Sequence, residues 1–234
     1  MTNKLFKHFW ESNWTIYVWF WAILCLMVIG GWVLQVTFLG EWIRLRDDID
    51  ALPFGFWSYL DQAPKWFLFV NGILFTTIVM PALIKHGISR RSFFHASLRK
   101  GLTVSVLFVA ILIIANLLEF GVARWLGETL IFRFSAQDVW VNPVFNAVKL
   151  YLDMLLIFIA GWLVGLSFYH KGWLRGIVYS IVALAPFFLI HFIGQSENVH
   201  VAALGSAAMI AAYVVSTVLL CLWARRMVSR VAVR

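Results

Sequence analysis

Lys149 and Asp153 stand four positions apart inside a long apolar stretch. In a helix that spacing puts both on one face, where an ammonium can meet a carboxylate. An unpaired charge in hydrocarbon costs about 3 kcal/mol or more. The two residues therefore suit one of two roles. They line a polar path through a membrane, for solute or protons, or they neutralise each other and lock helix packing; packing is the commoner use. Asn71, Asn116 and Asn146 also lie in apolar stretches, where an amide can bond across helices.

Other reactive side chains form no recognisable catalytic set. The six histidines are His8, His86, His95, His170, His191 and His200. None belongs to an HExxH pair or a tight ligand cluster. His191 has no carboxylate one turn away and reads as a hydrogen-bonded structural residue. There is no GxSxG elbow and no GxxxxGK[ST] phosphate loop. No motif supports an intramembrane enzyme using His191 or Asp153, no metal set is apparent, and ATP hydrolysis by the phosphate-loop route is excluded. Cys25 and Cys221 each lie in an apolar run and read as small buried hydrophobes, with no disulfide framework or zinc spacing.

These residues have to be held by membrane helices. The chain is 62% hydrophobic and 13% charged over 234 residues, whereas soluble domains run at roughly 45–50% and 25%. A spanning helix needs about 20 apolar residues. Six windows qualify: 14–39, 66–84, 102–118, 144–168, 177–193 and 201–223. The third and fifth are short and are expected to borrow a turn from their flanks. Backbone amides in lipid need internal partners, so the spans should be helices; no period-two alternation suggests a barrel. The fold class is an all-α integral membrane protein, residues 1–234 forming a single transmembrane domain. The long first window has no small-residue cleavage site, which argues against a signal peptide.

The formal charge of +8 follows topology rather than nucleic-acid binding. With the N-terminus inside, one side holds Lys4, Lys7, Lys85, Arg90, Arg91, Arg99, Lys100, Lys171, Arg175, Arg225, Arg226, Arg230 and Arg234. The other holds Arg44, Arg46, Lys65, Arg124 and Arg133. This bias puts both termini in the cytoplasm. Trp14, Trp173 and Trp223 near one surface, and Trp42, Trp66, Trp125 and Trp140 near the other, fit headgroup-level indoles.

Before the first window, Leu5, Phe6, Phe9 and Trp10 share one helical face, opposite Lys4, Lys7, His8 and Glu11. That pattern suits a short N-terminal interfacial helix. The outer segments 40–65 and 119–143 mix aromatics with charges and read either as caps over a vestibule or as packing. Gly161 and Gly165 form a GxxxG, and Ala203, Ala207 and Ala211 a small-residue ridge. Either serves packing within the chain or a subunit interface. Pro81 and Pro186 are expected to kink or end their helices.

The basic segment Lys85–Lys100 reads KHGISRRSFFHASLRK. Gly87 is an expected helix stop and Ser89 an expected N-cap for a short helix to Leu98. Phe93 and Phe94 are out of place in a solvated loop. They make sense docked in a partner's groove or lying on the bilayer.

Gly87, Ser89, Arg90, Arg91, Phe93 and Phe94 resemble, with one residue rather than two between Arg91 and Phe93, a Gly-x-Ser-Arg-(Arg/Lys)-x-x-Phe-Phe-like stretch found between the second and third spans of ABC-2 class permeases of ATP-binding-cassette transporters. The six spans, the termini and the interfacial helix resemble that class in architecture. The resemblance implies an exporter subunit in a bacterial cell membrane, paired with a second permease subunit of the same or a different kind. Two separate ATPase subunits, which hold ATP and magnesium, would grip Ser89–Leu98 as a short cytoplasmic coupling helix between spans 2 and 3. Some relatives place re-entrant helices where this chain has the short segment Gly194–His200, which argues against a large outer gate and polysaccharide substrates. The apolar, aromatic spans suggest an amphipathic or hydrophobic substrate, such as a peptide, antibiotic or lipid. The alternative is a non-transporting membrane scaffold or immunity protein that binds a partner through the 85–100 loop.

Overall fold

The computed structural model describes residues 2–34, 56–125, 143–171, 173–195 and 205–230. Every described residue is helical except the four between Lys85 and Arg90. In chain order the helices are α1 (Thr2–Leu34), α2 (Phe56–Leu74), α3 (Met80–Lys85), α4 (Arg90–Trp125), α5 (Pro143–Lys171), α6 (Trp173–Gln195) and α7 (Gly205–Arg230). A π-helical turn, Phe75–Val79, joins α2 to α3. Pro81 explains that turn, because it has no N–H to offer the Thr77 carbonyl. The Met80 N–H reaches back to the Phe75 carbonyl, and the Thr77 hydroxyl donates to the Ile73 carbonyl at 2.9 Å. Pro186, by contrast, sits inside α6 without ending it.

Among the described residues five helical stretches are long and apolar enough to cross a membrane: Gln62–Lys85, Arg90–Ala115, Val144–Tyr169, Trp173–Phe192 and Ala208–Ser229. They overlap five of the six expected windows, the third starting at Arg90 rather than Leu102 and the last running on to Ser229 rather than Trp223. The remaining window, 14–39, starts inside α1 and runs past that helix's last described residue. The chain is therefore a multi-pass membrane protein, and its described part is an all-α bundle. Most of the outer segments, and Gly194–His200 from residue 196 on, lie outside the described residues, although 56–65 belong to α2 and 119–125 to α4.

The expected N-terminal interfacial helix is not a separate element. α1 runs unbroken from Thr2 through the start of the first window. Phe9 is buried, with its ring centroid 4.7 Å from Phe75 and 6.2 Å from Phe93. Its partners are other helices of the same chain, so it needs no bilayer surface.

α5 is the central post. Every residue from Asp153 to Ser167 is buried, as expected for a helix apolar on all sides. The other helices surround it and turn apolar residues outward, for example Ile78, Val178 and Leu219. Cys25, expected to be buried, is exposed on this outer apolar surface of α1, and Cys221 is half-buried.

α2 and α5 run parallel and touch backbone to backbone. A Cβ on Gly72 would come within 2.9 Å of the Trp162 nitrogen, and one on Gly165 within 2.8 Å of the Ile73 carbonyl oxygen. One on Gly161 would collide with the Phe69 carbonyl. The GxxxG of α5 thus serves contact within the chain, with Gly72 as its counterpart. Of the alanine ridge, Ala211 is exposed; the side chains of Ala203 and Ala207 fall outside the described ones.

Candidate functional site at the basic turn

The α3–α4 connection is built from local hydrogen bonds. Gly87 takes φ +81°. Its N–H donates to the Ile84 carbonyl at 3.0 Å, and the Ile88 N–H donates to the Leu83 carbonyl at 3.1 Å. This pair of bonds is a Schellman closure, and a left-handed residue at that point favours glycine. Ser89 then caps α4: its Oγ accepts the Ser92 N–H at 3.2 Å and donates to the Ser92 hydroxyl at 2.9 Å. The expected stop at Gly87 and cap at Ser89 are both present.

The helix that follows is not short. α4 continues from Arg90 through Lys100 into the third span without interruption. Arg99, Lys100 and Gly101 interrupt the hydropathy, but none of them breaks a helix. A separate coupling helix ending at Leu98 is therefore replaced by the first turns of a long one.

These turns have two faces. Gly87, Ser89, Arg91, His95 and Arg99 are exposed. On the opposite side Phe93 and Phe94 are buried in the chain's own core, which corrects the expectation of a partner's groove or the bilayer surface. Phe93 stacks on Phe75 with centroids 5.5 Å apart. Phe94 stacks on Trp162 of α5. Arg90 is half-buried and reaches α7 at the surface: its Nη1 donates to the Ser229 carbonyl at 3.2 Å. That carbonyl lies in the last turn of α7, where carbonyls lack helical partners and a cation is favoured.

Further along α4, Lys100 is buried rather than part of a surface loop. Its Nζ donates to Asn71 Oδ1 at 3.3 Å and lies 4.0 Å from the centre of the Phe75 ring and 5.8 Å from that of Tyr17. An amide and aromatic faces thus hold the ammonium.

Asp153 does not use Lys149. Its Oδ2 lies 2.8 Å from Lys65 Nζ, and both side chains are buried. Lys65, expected in an outer loop, lies in α2 and faces α5. Lys149, one turn from Asp153 toward the start of α5, is half-buried. Among the described residues the buried carboxylate therefore takes the buried cation of the neighbouring helix. Removing Lys65 and Lys100 from the two charge lists leaves the bias in the same direction.

His191 stacks parallel to Phe187, with centroids 6.2 Å apart. Among the described residues no three His, Cys, Asp or Glu side chains converge. The four-residue spacing of Lys149 and Asp153 and the paired phenylalanines point to the right region but to the wrong neighbours. The roles of Lys65, Lys100 and Trp162 leave no local signal.

Compared with protein-family models, curated proteins and solved structures, the chain finds no match.

Proposed function

We propose that this chain is the membrane-spanning subunit of an ATP-binding-cassette exporter of the ABC-2 class, with six spans and both termini in the cytoplasm of a bacterial cell. Two such subunits, identical or different, form a path for an amphipathic or hydrophobic substrate. Separate ATPase subunits carrying ATP and magnesium drive it. The basic turn faces those ATPases.

The observation that carries this reading is the two-faced build of the first turns of α4. Exposed Arg91 offers a cationic contact, with the exposed His95 one turn further along the same face. On the other face, Phe93 and Phe94 are keyed to Phe75 and Trp162. A push on the turn is thereby delivered to the π-helical turn that follows α2 and to the central α5, because packed cores shift between discrete arrangements rather than deform. Gly87 and Ser89 keep the turn stiff, so displacement is transmitted instead of absorbed. In this reading Gly87, Ser89 and Arg91 form the grip, Arg90 ties in α7, and the two phenylalanines are the transmission. Asp153, with Lys65, holds α2 to α5 rather than lining the path.

The test is purification of the full chain from its native membrane, followed by reconstitution. A P-loop ATPase should accompany it, and Arg91→Glu should abolish ATP-driven export while leaving insertion and thermal stability unchanged. Export that persists in Arg91→Glu removes the coupling assignment. A preparation with an unrelated partner and no ATPase favours the scaffold reading.

A further inference from the structure

The Arg90 to Ser229 bond joins two segments 139 residues apart. It sets the last turn of α7 beside the first turn of α4. Arg225 and Arg226, one turn before Ser229, are exposed, as is Arg91 beside Arg90. The two carboxylates among the described side chains are engaged elsewhere, Glu11 with Lys7 and Asp153 with Lys65. Arg91, Arg225 and Arg226 thus lie exposed on two adjoining helix ends without a described acidic partner. Topology alone requires basic residues on one side of a membrane, not their convergence, and like charges brought together repel.

Depth separates a protein partner from lipid. On the exposed face of α4, Arg91, His95 and Arg99 give way to apolar Leu102 and Val106. Arg91 precedes Leu102 by eleven residues, or about 16 Å along a helix axis. The headgroup layer is only about 5–8 Å thick on each side. Taking Leu102 as the start of the hydrocarbon puts the first turn of α4 beyond the headgroups, and the contact with Ser229 sets the last turn of α7 beside it.

We infer that the last turn of α7 is a second part of the docking surface: Arg225 and Arg226 join Arg91 in receiving an acidic face of the ATPase subunit. This rests on the exporter reading. Under it, ATPase movement acts on α4 and α7 together through Arg90.

The experiment uses the full-length double variant Arg225→Glu/Arg226→Glu and the ATPase that co-purifies with the wild type. Affinity is measured in nanodiscs of neutral phosphatidylcholine and in nanodiscs with added anionic phosphatidylglycerol. The expected result is affinity lowered about tenfold or more in both lipids, with a shallower salt dependence than the wild type. A photoreactive group at position 226 of an otherwise unchanged chain should cross-link to the ATPase, which covers the case where the double variant fails to fold. Unchanged affinity and no cross-link overturn the inference while leaving the exporter reading intact. An effect confined to anionic nanodiscs assigns the arginines to lipid headgroups and also overturns it. Absence of any ATPase from the native preparation removes both readings.

Discussion

Phe94 of α4 lies over Trp162 of α5, ring centroids 5.4 Å apart and planes 24° from parallel. One residue of a basic turn is thereby stacked on the most enclosed helix of the bundle. Phe94→Ala should cost about 3–5 kcal/mol of stability, and Arg91→Glu, on the exposed face, within about 0.5 kcal/mol. Thermal unfolding in detergent compares the two. Equal effects would contradict the two-faced description of these turns.

The Lys65–Asp153 pair makes a directional prediction. Removing one partner leaves a buried charge uncompensated, so Lys65→Met and Asp153→Leu should each destabilise by about 3–5 kcal/mol. Replacing both together should recover most of the loss. Lys149→Met should be nearly silent. A large effect at Lys149 would restore the pairing suggested by the four-residue spacing.

Backbone contact between α2 and α5 is tested at the glycines. Gly161→Ala places a methyl against the Phe69 carbonyl and Gly165→Ala one against Ile73. Either should lower stability by about 1–3 kcal/mol through overpacking. Gly30→Ala meets nothing within 4 Å and serves as the control. Melting temperatures of the three variants decide it.

Lys100 and Asn71 should behave asymmetrically. Asn71→Ala strips the ammonium of its amide acceptor and should cost about 1–3 kcal/mol. Lys100→Met removes the buried charge and leaves only a half-buried neutral amide without its donor, so it should cost less than Asn71→Ala. If Lys100→Met is stable yet export fails, the lysine acts in transport as well as in packing.

Membrane character, the positions of five spans and the closure of the basic turn are legible in the residues alone. Composition and apolar length belong to single segments. A glycine stop followed by a serine cap is local chemistry that nothing distant needs to supply. The continuity of α4 between Leu98 and Leu102 is not legible from apolar windows, because they follow hydropathy. Helix continuity depends on backbone hydrogen bonds, which Arg99 and Lys100 leave intact.

The sequence by itself determined that the chain crosses a membrane, roughly where it does so, and that a glycine-serine turn with flanking arginines lies between two crossings. Only the tertiary structure decided what each buried group meets: Lys65 for Asp153, Trp162 for Phe94, Asn71 for Lys100 and Ser229 for Arg90. The physical reason is range. Hydropathy and capping act within a few residues along the chain. A desolvated charge or ring is satisfied by whichever helix packs beside it, and for Lys65 and Asp153 that neighbour is set by the close approach of α2 and α5 at Gly72, Gly161 and Gly165.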